Sequence, residues 1–124
     1  PAASGCLVGY SRPMDVAPLL AEHTDEVATL TRRLLDRVSA ASDWADTRVY
    51  RGWHGVGFHH PQLGYVVGVF PRSGFVRVLF EHGHLLGDAA FVEGTGKTRY
   101  VDFEEWDEDR LATVDDLLDR ALSP

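Results

Sequence analysis

Apolar residues recur at helical spacing in the first third of the chain. Thr24 can cap a helix, and the acidic residues Asp25 and Glu26 after it favour the positive end of the helix dipole. The apolar residues that follow fall on one helical face, namely Val27, Leu30, Leu34, Leu35 and Val38. This pattern predicts an amphipathic helix that ends at 39–42, preceded by a short helical stretch capped by Asp15.

The helical stripe is absent between residues 48 and 103, where glycine, aromatic and β-branched residues dominate. Predicted strands cover 48–51, 55–59, 64–70, 75–81 and 98–103. The turn at 71–74, Pro-Arg-Ser-Gly, has hairpin length and makes the strands on either side of it antiparallel. The links between strands are too short for the crossovers of a parallel sheet, so an antiparallel meander is expected.

The last predicted element is a second amphipathic helix, capped by Asp107. Its apolar stripe consists of Leu111, Val114, Leu117, Leu118 and Leu122, and its opposite face carries carboxylates. The sequence therefore predicts a single α+β domain over residues 1–124. In it, a meander of about five strands packs against an N-terminal helix and this C-terminal helix. Residues 1–13 are expected to be a poorly ordered lead-in.

Composition narrows the classes of function. The 124 residues are 44% hydrophobic and 25% charged, which is typical of one globular domain, and the single cysteine cannot form an internal disulfide. A formal net charge of −7 argues against nucleic-acid binding, and no apolar run approaches the length of a membrane span. We expect a cytoplasmic protein that forms oligomers or stays monomeric, with no resident cofactor.

Acidic residues are concentrated between residues 102 and 119. The simplest interpretation is a solvated helix surface that keeps the protein in solution. The alternative is a weak site for a hard cation, because carboxylate oxygens suit such ions.

Gly94-Thr95-Gly96-Lys97 resembles the end of a phosphate-binding loop. That motif needs a glycine five residues before Gly96, where this chain has Phe91, and it needs a helix after the loop, where a strand is predicted here. A glycine turn that leads into the last strand is the expected role. Turn amides beside Lys97 and Arg99 remain candidates for holding an anion.

Histidine and tryptophan residues supply further candidates. His82 and His84 would share one face of an extended strand, but Gly83 favours a turn, and surface positions are the expected interpretation. Trp53 lies among glycines and either packs in the core or forms a stacking platform. Neither a complete metal-binding motif nor a hydrolase nucleophile motif is present.

These candidates suggest one binding site. The connection at 85–93 is longer than a hairpin turn requires, and such loops often cover binding sites. If the segment with Trp53 and His54 reaches the same end of the sheet, an aromatic ring, imidazoles and a guanidinium converge at the opening of one pocket. The expected ligand-binding residues are Trp53, His54, His82, His84, Lys97 and Arg99.

From residue 49 to residue 122 the chain also resembles the YdhG-like family of bacterial proteins of unknown function. The resemblance rests on Trp53-His54-Gly55-Val56-Gly57-Phe58, Gly64-Tyr65, Val69-Phe70-Pro71, Val76-Arg77-Val78, Phe80-Glu81-His82-Gly83, Leu85, Glu93-Gly94-Thr95-Gly96-Lys97 and Arg99-Tyr100-Val101. It implies an α+β fold. Because some relatives are described as frataxin-like iron chaperones, it also implies weak iron binding through surface carboxylates. The ligands for this role would be Glu104, Glu105, Glu108 and Asp109.

Three functions follow as hypotheses. The first is a non-enzymatic binding domain that holds a small anionic ligand or a partner protein. The alternative is an intracellular iron chaperone, and the third is a small enzyme of unknown reaction. They differ in what they require: a concave apolar pocket, an exposed carboxylate ridge, or a buried group with a shifted pKa in a cleft.

Overall fold

A computed structural model describes residues 15–122 of the chain. Three α-helices and five strands are present in this range. The helices are α1 (Ala17–Leu20), α2 (Asp25–Ala40) and α3 (Glu108–Leu122), and a 3-10 turn covers Gly83–Leu85. The strands are β1 (Asp46–Tyr50), β2 (Gly55–His60), β3 (Gly64–Arg72), β4 (Phe75–Phe80) and β5 (Arg99–Phe103). The lead-in expected at residues 1–13 lies outside the described residues.

The strands form one sheet in the order β1-β2-β3-β4-β5, and each neighbouring pair is antiparallel. The predicted α+β meander is therefore confirmed. The strand boundaries differ from the predicted ones by one or two residues, and the largest differences are the start of β1 and the end of β3. Pro71 and Arg72 pair with Val76 and Phe75, so β3 continues through them and only Ser73 and Gly74 form the turn. Gly74 has a φ of 85°, a left-handed conformation that glycine adopts without strain, and this allows so tight a turn.

Helices α2 and α3 begin where the sequence predicts. Helix α1 differs, because its N-cap is Val16 and not the predicted Asp15, whose carboxylate accepts from the Ala17 N–H at 3.3 Å. The Thr24 hydroxyl oxygen accepts a hydrogen bond from the Val27 N–H at 3.2 Å. The Asp107 carboxylate accepts from the N–H groups of Asp109 and Arg110 at 3.0 and 3.1 Å. Each side chain satisfies amides that the first turn of a helix leaves without an intrahelical partner.

The core lies on one face of the sheet, beneath all three helices. Val56, Val69, Val78 and Val101 lie opposite one another across β2 to β5, and each is fully buried. Helix α2 packs across β3 and β4, and α3 packs on β5. No helix in residues 15–122 combines the length and the apolar character that crossing a bilayer requires.

Candidate functional site

A β-bulge shapes the end of the sheet where β3 begins. The pairing of β2 with β3 shifts register between Phe58 and His59, so that Phe58 faces Val67 and His59 faces Tyr65. Val66 and Val67 are neighbours in sequence, yet both are buried in the core. A bulge places an extra residue on one strand and bends it. Here it directs Val66 into the wall of a cavity.

This cavity, which we name the apolar pocket, has a volume of about 570 Å³. It opens between the β2–β3 turn, the end of β4, the 3-10 turn and the C-terminal end of α3. Its lining residues are Gln62, Leu63, Tyr65, Val66, Phe80, His82, Leu85, Leu86, Arg120 and Ala121. Leu63 and Leu85 are 51% and 73% exposed, so apolar surface continues from the pocket to solvent.

Arg120 provides the cationic part of the apolar pocket and also holds the loop that forms one wall. Its guanidinium donates to the backbone carbonyls of Leu86 and Asp88 at 3.0 and 2.9 Å, and to the carboxylate of Asp116 at 2.7 Å. His82 is exposed at the rim of the pocket. The polar groups of the pocket are therefore few and lie around an apolar centre.

Tyr65 links the apolar pocket to the face of the sheet opposite the helices, which we name the open face. Its hydroxyl is buried and has no hydrogen-bond partner within residues 15–122. Burial raises the pKa of Tyr65 far above its ordinary value, and the charges of Glu81 and Tyr50 act in the same direction. The phenol thus stays protonated near neutral pH.

The structure does not bring the six predicted ligand-binding residues together. His82, His84, Lys97 and Arg99 lie where β4 ends and β5 begins. Trp53 and His54 lie in the β1–β2 turn, at the opposite end of an antiparallel meander and beside the other edge strand. The expected convergence of Trp53 with His82 and Arg99 is wrong, because the two groups lie at opposite ends of the sheet. The edge strands β1 and β5 are also four strand spacings apart, or about 19 Å.

Side chains beside the glycine turn bind the backbone carbonyls of the turn. Gly94 and Gly96 have φ values of 123° and 67°, so the turn into β5 has the expected role. The Arg99 guanidinium donates to the carbonyls of Gly96 and Thr98 at 2.9 and 2.7 Å. The N–H and the ring Nδ1 of His84 both lie 3.0 Å from the Lys97 carbonyl. These groups bind the turn itself, and an anion held by the turn amides stays a prediction.

Trp53 is neither in the core nor at the mouth of the apolar pocket. It is 57% exposed and packs on the open face, with ring centroids 4.7 Å from Tyr50 and 6.1 Å from Tyr65. The Tyr50 ring lies over Gly57, where a Cβ atom would come within 2.8 Å of it. Glycines in β2 and β3 thus leave room for a layer of aromatic rings on the open face.

The carboxylates proposed for a hard cation fall into two groups. Glu104 and Glu105 line a second concave region of about 530 Å³ together with Asp102 and Asp107. Glu108 instead accepts a hydrogen bond from the Trp106 indole at 2.7 Å. Within residues 15–122, no three or more histidine, cysteine or acidic residues are grouped closely enough to hold a metal ion. The four predicted ligands do not form one cluster.

Sequence reasoning found only part of the apolar pocket. His82 was a candidate, and the long connection at 85–93 was expected to cover a site; Leu85 and Leu86 of that connection do line the pocket. Leu63, Tyr65, Arg120 and Ala121 were missed. The turn at 61–64 before β3 was a usable signal for Leu63, whereas no local pattern shows that the end of α3 meets this turn.

Comparison of the chain with models of protein families, with curated proteins and with solved structures finds no match. The resemblance to the YdhG-like family stays a prediction.

Proposed function

We propose that this protein is a non-enzymatic binding domain and that the apolar pocket holds a small, largely apolar anion. The observation that supports the proposal most directly is the pocket itself. A cavity of about 570 Å³ with apolar walls and few polar groups is the usual form of a small-molecule site.

The charges around the pocket favour an anion over a cation. Arg120 is part of the wall and His82 lies at the rim, while none of the lining residues within the described range 15–122 carries a carboxylate. Asp116 offsets part of the Arg120 charge from outside the pocket. A carboxylate group near His82 and Arg120, with a hydrocarbon or aryl body against Val66 and Phe80, satisfies both features.

The affinity expected for a minimal ligand is modest. A carboxylate of about ten non-hydrogen atoms, at roughly 0.4 kcal/mol per atom, binds with a Kd of about 1 mM. Such binding is within reach of NMR titration. We expect aliphatic and aryl carboxylates to shift the backbone amide signals of Tyr65, Leu85 and Ala121, and primary amines of the same carbon skeleton to shift them less.

Two substitutions on α3 make the titration decisive. Ala121→Trp fills the pocket and should abolish the shifts, whereas Ala112→Trp places the same ring on an exposed part of the same helix and should leave them unchanged. His82→Gln should weaken carboxylate binding without affecting the amines. Shifts that persist in Ala121→Trp, or that occur equally with amines, would refute the proposal.

Iron handling is the second candidate. It is supported by the family resemblance and by the concave region that Glu104 and Glu105 line. We rank it lower because Glu108 and Asp109 do not belong to that region and because Arg77 and Arg110 already pair with Asp102 and Asp107.

A further inference from the structure

Two histidines that are far apart in sequence meet ring to ring. His23 lies between α1 and α2, and His54 lies in the β1–β2 turn. Their Nε2 atoms are 2.6 Å apart, and their ring centroids are 4.9 Å apart with the planes tilted by 46°. Both residues are half-buried. The Nε2 atom of each ring, which can carry a lone pair, therefore points toward the Nε2 atom of the other ring.

The backbone holds both rings in this position. The His23 N–H donates to the Leu20 carbonyl at 3.0 Å, immediately before the Thr24 cap of α2. The His54 N–H donates to the Arg51 carbonyl at 3.2 Å, and the His54 carbonyl accepts from the Arg72 guanidinium at 3.3 Å. The two rings can separate only if one side chain changes its rotamer or if the backbone around His23 or His54 changes conformation.

His54 adopts an uncommon backbone conformation. Its φ is 56°, in the left-handed region that non-glycine residues rarely occupy, although histidine and asparagine are found there more often than most. Residues in this region tend to cluster at functional sites, where the surrounding structure offsets the cost. In this protein the conformation directs the imidazole of an exposed turn toward His23.

The two Nε2 atoms face each other at hydrogen-bond distance, so one ring carries a lone pair on Nε2 and the other donates an N–H. The ring with the lone pair is already in the form that binds a metal ion, and the other ring reaches that form when its proton moves to Nδ1.

We propose that His23 and His54 form a two-imidazole site for a borderline divalent transition metal such as Zn²⁺. Neutral imidazole nitrogen is a preferred ligand of these ions, and solvent supplies the remaining positions. The geometry needs little change. Tetrahedral Zn²⁺ with Zn–N bonds of ~2.0–2.1 Å places two ligand nitrogens ~3.3 Å apart. From the observed 2.6 Å, the two nitrogens would have to separate by about 0.7 Å.

The site is independent of the apolar pocket. It joins the α1–α2 connection to the β1–β2 turn, whereas the pocket lies where β3 begins and β4 ends. A bound ion would tie the helical layer to the edge of the sheet at β1 and β2. Metal binding and carboxylate binding can thus be tested separately in the same protein.

Calorimetric titration with Zn²⁺ alone at pH 7.5 tests the site. All variants carry Cys6→Ser, because the thiolate of Cys6 would otherwise be a competing ligand. We expect one Zn²⁺ per chain in this background. His23→Gln and His54→Asn should each weaken binding by about tenfold or more, since even loss of a group that only orients a ligand costs tenfold or more. Asparagine tolerates the left-handed conformation, so His54→Asn keeps the turn.

Two further measurements separate ligation from an indirect effect. His84→Gln removes an exposed imidazole at the opposite end of the sheet and should leave the affinity unchanged. Long-range ¹H–¹⁵N spectra of the imidazoles should show the Nε2 signals of His23 and His54 shifting together as Zn²⁺ is added. Absence of saturable binding, binding that survives both substitutions, or shifts confined to other histidines would refute the proposal. In those cases the pair is a simple N–H···N hydrogen bond.

Discussion

Gly83 lies directly against the backbone of Arg99. A Cβ atom at Gly83 would be 2.6 Å from the Arg99 amide nitrogen, closer than real Cβ contacts come. Gly83 is buried and begins the 3-10 turn, whose last residue, Leu85, lines the apolar pocket. The absence of a side chain at one position thus allows the loop to close on β5 and form a wall of the pocket.

Gly83→Ala should therefore destabilise the protein by about 1–3 kcal/mol, the usual cost of inserting a methyl group where the neighbouring atoms cannot move away. Chemical denaturation measures the change in the free energy of unfolding. Gly52→Ala is the matched control, since nothing lies within 4 Å of a Cβ atom there. Equal free energies of unfolding for the two variants would show that the loop adapts to the added methyl group.

The apolar stripe of α3 makes a second prediction. Leu118 is 2% exposed in the core, and Leu118→Ala should cost about 2–5 kcal/mol because it removes buried methyl groups and leaves a cavity. Asp119 is exposed on the same helix, so Asp119→Ala should stay within about 0.5 kcal/mol. Both values come from urea unfolding curves. A cost of Leu118→Ala below 1 kcal/mol would contradict the observed packing of the helix.

His59 predicts how stability depends on pH. Burial, and after it the charge of Arg48, lowers the pKa of His59 below its ordinary value of 6.5. The Tyr50 hydroxyl and the His59 Nε2 are also 2.6 Å apart, an arrangement in which a neutral imidazole can accept a hydrogen bond from the hydroxyl. The folded state therefore prefers the neutral ring.

Because the pKa of His59 is lower in the folded protein, the unfolded chain binds a proton at this histidine more readily than the folded protein does. Between the folded pKa and 6.5 the unfolded chain binds more protons, so stability contributed by His59 is present above 6.5 and is lost as the pH falls through that window. His59→Gln should reduce the slope of unfolding free energy against pH on the acid side of 6.5. A variant with an unchanged slope would show that His59 does not contribute.

Ferrous iron should not bind stoichiometrically at the acidic surface. The carboxylates of Glu104, Glu105, Glu108 and Asp109 are not clustered, and a hard cation generally needs several oxygen ligands at once. Anaerobic calorimetry in a His23→Gln background, which removes one imidazole of the proposed Zn²⁺ site, measures this. Micromolar binding that is lost in Glu104→Gln/Glu105→Gln but retained in Glu108→Gln/Asp109→Asn would place iron handling first.

The elements of the fold follow from local patterns in the sequence. The 3.6-residue period of apolar positions and the capping residues Thr24 and Asp107 identify α2 and α3. Caps can be recognised in the sequence because the backbone N–H groups that they bind lie within three residues of them. The strands and the glycine turn before β5 follow from alternation, from β-branched content and from conformations that glycine adopts freely. Each of these signals lies within a short stretch of chain.

The sites depended on how distant stretches pack. The sequence placed Trp53 and His82 at one mouth, while the meander puts the β1–β2 turn and the end of β4 at opposite ends of the sheet. His23 and His54 are 31 residues apart, and Ala121 reaches the β2–β3 turn from the other end of the domain. Such contacts arise from the packing of helices on a twisted sheet, which no local spacing encodes. The sequence by itself determined the elements and their order, and tertiary packing decided which side chains meet.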